Sequence, residues 1–447
     1  MKTFHTILPM LLVSASFAVP RMAASSNALQ ATDSTATSVT SQHTAKPSIA
    51  SRLTLGGYGE AVMTRNFYSD AWQRYTRPEQ HSNDPSHGRF DIPHVVLMIG
   101  YDFGCGWTMG SEIEFEHGGT ESAVEMEAEE TGEYESEIER GGEVALEQFW
   151  IQKSFNRALN LRMGHIIVPV GMTNQHHLPT EYFTVYRPEG ENTIFPCTWH
   201  ETGISLWGRT SKWRYEVMFL PGLDSDRFGS EGFIHDGAGS PYEFKIANAY
   251  AGALRIDNYS IRNLRLSVSG YYGSSFSNSL TKNSKYSRCH GEVMIGSFDF
   301  MYKNRHVIAQ GNFDWAHLND SREITEFNRG SMSTASPSPK TAVGSDAVAA
   351  GVEAGYDVFS ALHSPKLSGQ QFWVFGHYEY YDSMAKVAQG IMDYNWCGKH
   401  RIAVGVNYYP LREIAIKAEF SKRFYQQPYN NEPSISIGIV YAGYFLH

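Results

Sequence analysis

Long apolar runs are missing. Beyond the first twenty residues, the chain of 447 has no stretch of the roughly twenty apolar residues that a spanning helix needs. Mean hydropathy is -0.36, which excludes an inner-membrane helical bundle. Cysteine is scarce. There are 4, at Cys105, Cys197, Cys289 and Cys397, and no C-x-x-C pair, so zinc-ribbon and thioredoxin-like chemistry have no footing. Positive charge is in deficit, with a formal net charge of -10, and nucleic acid wants a basic face. No G-x-S-x-G occurs, so no nucleophile elbow is present. Scattered Ser and His leave a barrel phospholipase open as a remote alternative. Gly56-Gly57-Tyr58-Gly59 is not followed by a helical pattern and is therefore strand, not a nucleotide loop. His176-His177 lacks the i, i+4 spacing of a zinc helix.

Aromatic residues are plentiful at 13%, with Tyr 26 and Phe 25. That excess suits aromatic girdles at two membrane interfaces. From about Arg52 onward, strand-like segments of about ten residues recur, and the gaps between them alternate short and long. Short gaps include Phe103–Gly106 and Arg209–Lys212. Long gaps include Asn66–Gly88, Gly118–Gly142, Pro169–Thr198 and Asn319–Ser345. Tight turns at one end and long loops at the other are the plan of a closed antiparallel transmembrane β-barrel. A soluble sandwich has no reason to sort its loops by length. The expected fold is all-β, with about 16 strands over residues 51–447, short periplasmic turns and long extracellular loops.

Residues 1–24 read as an export signal. Lys2 and His5 precede an apolar core at Ile7–Val19, with small residues for cleavage after Ala18 or Ala24. Residues 25–50, rich in Ser, Thr and Ala, read as a disordered periplasmic tail without a heptad pattern. Export permits disulfides. Cys105 falls in a short turn and the other three near long loops, so Cys105 is too far away to pair and at most one bridge among the rest is expected.

Period-two alternation shows which residues share a face. Ile414, Ile416, Ala418 and Phe420 lie on one face and Lys417 and Glu419 on the other. Trp107, Met109, Ile113 and Phe115 oppose Glu112, Glu114 and Glu116. Charges at every second position require that face to see water, so Glu112, Glu114, Glu116, Lys417 and Glu419 are expected to line an open lumen. Closure follows, because a sheet edge in lipid would strand its N–H and C=O groups.

The third long loop, after the fifth strand, carries Pro169, Pro179, Pro188 and Pro196. Proline stiffens it, which suits folding inward to narrow the lumen. Its segments Pro169-Val170-Gly171, Asn174, His177, Arg187-Pro188 and Pro196-Cys197-Thr198-Trp199 with Gly203 resemble those of bacterial outer-membrane porins related to the phosphate-selective porin O and P family. The resemblance implies a passive channel for small hydrophilic solutes or ions, with Asn174, His177, Arg187, Glu189, Glu191 and Trp199 at the constriction. Phosphate selectivity would need a lumenal ladder of Arg and Lys, which the sequence does not reveal. Two carboxylates beside Arg187, together with the row at Glu112, point to a weak cation preference.

No catalytic residue, cofactor or resident metal is implied. Glu121–Glu139 could gather Ca²⁺ or Mg²⁺ weakly, although the Asp-Gly pattern of an EF-hand is absent. Expected partners are outer-membrane lipid and lipopolysaccharide, small hydrophilic solutes and the barrel assembly machinery, with room left for a homotrimer. The runner-up is a plugged barrel acting as an adhesin or structural outer-membrane protein.

Overall fold

The computed structural model describes residues 51–446, apart from 76, 119–121, 128–134, 141–143, 240–244, 279–285, 331–341, 363–366 and 426–430. The export signal and tail at 1–50 lie outside the described residues, and so do the side chains of Glu121–Glu139.

One sheet closes on itself. Its strands are β1 (Leu53–Asn66), β2 (His87–Asp91 and His94–Gly104), β3 (Trp107–Glu116), β4 (Val144–Asn156), β5 (Leu159–Ile167), β6 (His200–Arg209), β7 (Trp213–Pro221), β8 (Tyr250–Asn258), β9 (Leu264–Ser274), β10 (Glu292–Lys303), β11 (Val307–Leu318), β12 (Asp346–Asp357), β13 (Gln371–Lys386), β14 (Gly398–Leu411), β15 (Ile414–Phe424) and β16 (Glu432–Leu446). Both pieces of β2 pair with β1, so the seventeen segments of the sheet make sixteen crossings. The break falls at Ile92-Pro93, where proline offers no N–H to the ladder. Every neighbour is antiparallel. β1 pairs with β16 from Leu55↔Leu446 to Asn66↔Ser434, so no edge faces lipid.

The burial pattern is inverted relative to a soluble protein. On β15, Ile416 and Phe420 are exposed while Lys417, Glu419 and Ser421 are buried. On β16, Ile435, Ile437 and Ile439 point out and Ser434 and Ser436 point in. β3 follows the same rule, with Trp107 and Phe115 outside and Glu112 and Glu114 inside. An apolar belt this continuous is stable only against hydrocarbon. Ile439→Lys, at mid-strand on that belt, is expected to cost about 2–4 kcal/mol of folding free energy in lipid. Urea unfolding of the vesicle-inserted barrel measures it. A loss no larger than that of an exposed-loop substitution would contradict a lipid-facing β16.

The loops sort as expected, with one exception. The β2–β3 turn is built on Gly104, Cys105 and Gly106, all at positive φ. A Cβ on Gly106 would meet the Ser154 carbonyl at 2.4 Å, so only glycine fits there. The β12–β13 connection is longer than its counterparts because it holds a short helix, Val358–Leu362.

Candidate functional site

The long connection from Val168 to Trp199 is largely buried. Its base is tied by Asn174. The Asn174 Nδ2 donates to the carbonyls of Val168 (2.8 Å) and Val170 (3.3 Å), and the Trp199 N–H donates to Asn174 Oδ1 (2.6 Å). Glu191 performs a second internal tie, accepting from Met172 N (2.7 Å) and Asn174 N (2.9 Å). Gly171 makes this possible: its φ is +80°, and a Cβ there would stand 2.2 Å from Glu191 Oε1. Trp199 packs on Tyr271, ring centroids 5.0 Å apart. Asn174, Glu191 and Trp199, expected at the constriction, are thus spent on holding the loop's own shape.

Side chains of the wall, from β8 round to β15, receive the rest of the segment. Arg255 donates to the Gly171 carbonyl (2.8 Å), and Gly171 N donates to Ser269 Oγ (3.1 Å). Gln310 donates to the Glu181 carbonyl (2.9 Å). Glu353 accepts from Phe183 N (3.3 Å), Asn407 donates to the Phe183 carbonyl (2.9 Å), and Glu419 accepts from Val185 N (2.8 Å). Lys417 Nζ donates to the carbonyls of Tyr182 and Thr184, both at 2.8 Å. An irregular backbone in a membrane protein is tolerable when its polar groups find partners of this kind. Lys417 and Glu419 do face inward, where they act as loop anchors.

Glu189 starts a short helix, Glu189–Ile194. Its first two N–H groups donate to Glu379 (3.1 and 2.7 Å), a carboxylate placed where helix starts leave donors unpaired. The Glu189 carboxylate itself lies 2.6 Å from two nitrogens of Arg423 and 3.2 Å from Arg401. Burial would raise the Glu189 carboxyl, but Arg401 and Arg423 hold it well below the usual range. The expected trio of Glu189 and Glu191 beside Arg187 is therefore not formed. Arg187 donates instead to Thr198 Oγ1 at 2.9 Å. Glu189 binds other guanidinium groups because the helix start docks on β13–β15.

Glu191 is the opposite case. Burial pushes its carboxyl up to about 7, against the pull of the backbone N–H groups of Asn174 and Met172. An unfolded glutamate titrates near about 4.3. The raised folded value means that this group's stabilising contribution is full below that range and is lost as pH rises to about 7. The urea midpoint is expected to fall between pH 5 and pH 8, and Glu191→Gln is expected to remove that part of the fall. An unchanged slope in the variant would contradict the assignment.

Sequence reading missed the arginine ladder. Arg162, Arg214, Arg255 and Arg265 rise along β5, β7, β8 and β9, each interleaved with acid: Arg162–Glu216 (2.8 Å), Arg214–Asp257 (3.4 Å), Arg255–Asp299 (2.8 Å) and Arg265–Asp299 (2.7 Å). The signal was Arg214-x-Glu216 and Arg255-x-Asp257, two residues apart and hence on one face. The ladder exists, but neighbouring carboxylates neutralise it.

The wall at β1–β4 has a different balance. Glu60, Glu112, Glu114 and Glu147 are all buried there. His94 Nδ1 lies 2.8 Å from Glu114 and 4.0 Å from Glu116, which is half-buried toward the end of β3. Gln148 donates to Glu112 (2.6 Å) and Tyr58 to Glu147 (3.2 Å). His177 is buried against this wall, its ring 6.0 Å from that of Tyr58, and burial pushes the imidazole below its ordinary range. The sequence-expected Glu112, Glu114, His177 and Arg187 are thus brought together at one corner of the lumen.

An apolar cluster fills part of the barrel between β5 and β12. Ile166, Trp199 and Tyr271 join Phe228, Phe233 and Ile234 of the connection after β7, and Ile324 and Phe327 of a helix, Ser321–Gly330, that follows β11. All four cysteines are free. Burial pushes the Cys197 and Cys289 thiols up to about 12, so neither is a thiolate.

Comparison with known proteins places this geometry. A solved anion-selective porin from Comamonas acidovorans superposes with a TM-score of 0.52 over 88% of this chain and 99% of its own, at 10% identity. The chain has the porin fold. An uncharacterized protein of Aquifex aeolicus (strain VF5) is 26% identical over 390 residues, 85% of this chain and 78% of that one. No family model matches. A closed sixteen-stranded porin-type barrel with an apolar belt belongs to the bacterial outer membrane.

Proposed function

We propose that the chain is a passive outer-membrane channel for small hydrophilic solutes or ions, narrowed where residues 168–199 fold into the lumen. One observation supports the reading: the backbone of that segment is hydrogen-bonded to inward-facing side chains from β8 round to β15, as a loop folded into the lumen would be. Arg187, Tyr186, Cys197 and Thr198 are only partly buried, and they are among the residues of the segment left to meet solute. The likeness of the loop to phosphate-selective porins supports a channel. It does not carry anion selectivity, because the arginines of the ladder are paired and the β1–β4 wall is rich in carboxylate. Weak cation preference is the expectation.

A second reading, the plugged barrel, is favoured by the apolar cluster inside the barrel and by how little of the inward-facing charge water reaches. Swelling of proteoliposomes in arabinose and in raffinose separates the two. A narrow channel admits the pentose and excludes the trisaccharide. Exclusion of both, together with impermeability to small ions, favours the plug.

A further inference from the structure

Glu147 owes its position to an irregularity in the sheet. Across β3–β4, Glu112 pairs with Gln148, but the next residue, Ile113, pairs with Leu146. Glu147 is the extra residue of a β-bulge. Both Glu147 and Gln148 are buried, so two consecutive side chains face the lumen where strict alternation allows one. Bulges re-aim side chains at the cost of ladder hydrogen bonds, and here the result is a carboxylate driven into a buried corner beside a second one. Glu147 is 0% exposed and Glu112 2%. Among the described residues Glu147 Oε1 has no hydrogen-bond donor.

The third member comes from the loop. His177 Nδ1 lies 3.1 Å from the Asn174 carbonyl, which can only accept, so Nδ1 carries the proton. In the neutral ring that leaves Nε2 with its lone pair. A ring nitrogen freed by a hydrogen bond from the other nitrogen to a backbone carbonyl is the usual arrangement of a metal-ligating histidine. One ligand atom from each of Glu112, Glu147 and His177 lies within 4.8 Å of the other two.

We propose that Glu112, Glu147 and His177 form a binding site for a first-row divalent cation of the Zn²⁺ type, which ties the inward loop to the β3–β4 wall. The chemistry of the set selects the ion. An imidazole with two carboxylates suits zinc and its neighbours, whereas Ca²⁺ and Mg²⁺ prefer all-oxygen shells. Three protein donors with water in the fourth position make a tetrahedral shell. Donors at about 2.1 Å from zinc sit about 3.4 Å apart, so the three groups need close in only slightly, if at all, to share one ion. The cation offsets the repulsion of two carboxylates held out of water. Tyr58, donating to Glu147, orients that carboxylate from behind. Binding transfers no electron and releases only the protons that the ligands carry.

The site is tested by binding, without current, so it stands or falls apart from the channel reading. Full-length barrel, folded in detergent and stripped with chelator, is titrated with Zn²⁺ by calorimetry and, separately, with Ca²⁺. One saturable Zn²⁺ site is expected, not displaced by millimolar Ca²⁺. His177→Ala and Glu147→Gln are each expected to lower its affinity by about tenfold or more, in the range by which tuning groups alone change metal affinity. His176→Ala, the adjacent histidine, is expected to leave it unchanged. Heat-modifiable migration establishes folding of each variant, and the near-isosteric Glu147→Gln carries the test if His177→Ala does not assemble. Absence of saturable Zn²⁺ binding in the wild type would overturn the proposal. So would affinity unchanged in both Glu147→Gln and folded His177→Ala, or lost only in His94→Ala, which would move the metal to His94, Glu114 and Glu116.

Discussion

Deletion of Thr173–Glu191 is expected to raise single-channel conductance severalfold while the barrel still assembles. The deleted stretch supplies the backbone groups that cover Lys417, Glu419, Glu353, Glu379 and Asn407. Once it is gone those side chains return to water, which a lumen can supply and a lipid-facing surface cannot. The strand ladder is untouched, including the β1–β16 closure. The gain comes from lumen cross-section, because conduction through such a pore is set by its radius and lining charge. Unchanged conductance from a deletion variant shown to be folded would remove the segment from the solute path.

The second large effect concerns stability. Arg401 is 2% exposed and faces Glu419 (2.9 Å), Glu379 (3.0 Å) and Glu189 (3.2 Å). Arg401→Met leaves those carboxylates without their shared cation. Breaking a buried pair from one side costs about 3–5 kcal/mol. Glu189 keeps Arg423, which softens the loss but does not cancel it. The urea midpoint of the lipid-folded barrel is expected to drop accordingly. Arg401→Lys should recover only part, since an ammonium cannot span three carboxylates with the guanidinium fork. A loss under about 1 kcal/mol, the value of a solvated pair, would mean that water reaches the cluster and that the lumen is open at that level.

The barrel was legible because its period is two and its environment is simple. Outward positions such as Ile416 and Ile437 need only be apolar, and inward ones such as Lys417 and Glu112 only polar. Neither judgement needs register. The candidate site was less legible, because its partners are set by register and by bulges. Arg214 and Arg255 sit in strands β7 and β8, two of the about sixteen that the period-two rhythm leads one to expect. Their pairing with Glu216, Asp257 and Asp299 depends on which residues stand opposite across β7–β10. Glu189 was expected beside Arg187 on sequence proximity, but the docking of its helix start on Glu379 turns its carboxylate to Arg401 and Arg423. Leu146-Glu147-Gln148-Phe149 breaks the alternation with two adjacent polar residues, and that break was the visible trace of the bulge. Phe228, Phe233, Ile324 and Phe327 lie in long connections between strands, where no period marks a buried face.

The most direct test of the account is the current through wild-type protein in a planar bilayer under a KCl gradient. Discrete conductance steps are expected from heat-modifiable protein, smaller than those of the loop deletion. A reversal potential displaced modestly toward the cation is also expected, because the inward-facing wall at β1–β4 carries Glu60, Glu112, Glu114 and Glu147. Folded protein that yields no steps would contradict the channel and leave the plugged barrel. Steps with a clear anion preference would contradict the carboxylate-lined passage and assign selectivity to the arginine ladder.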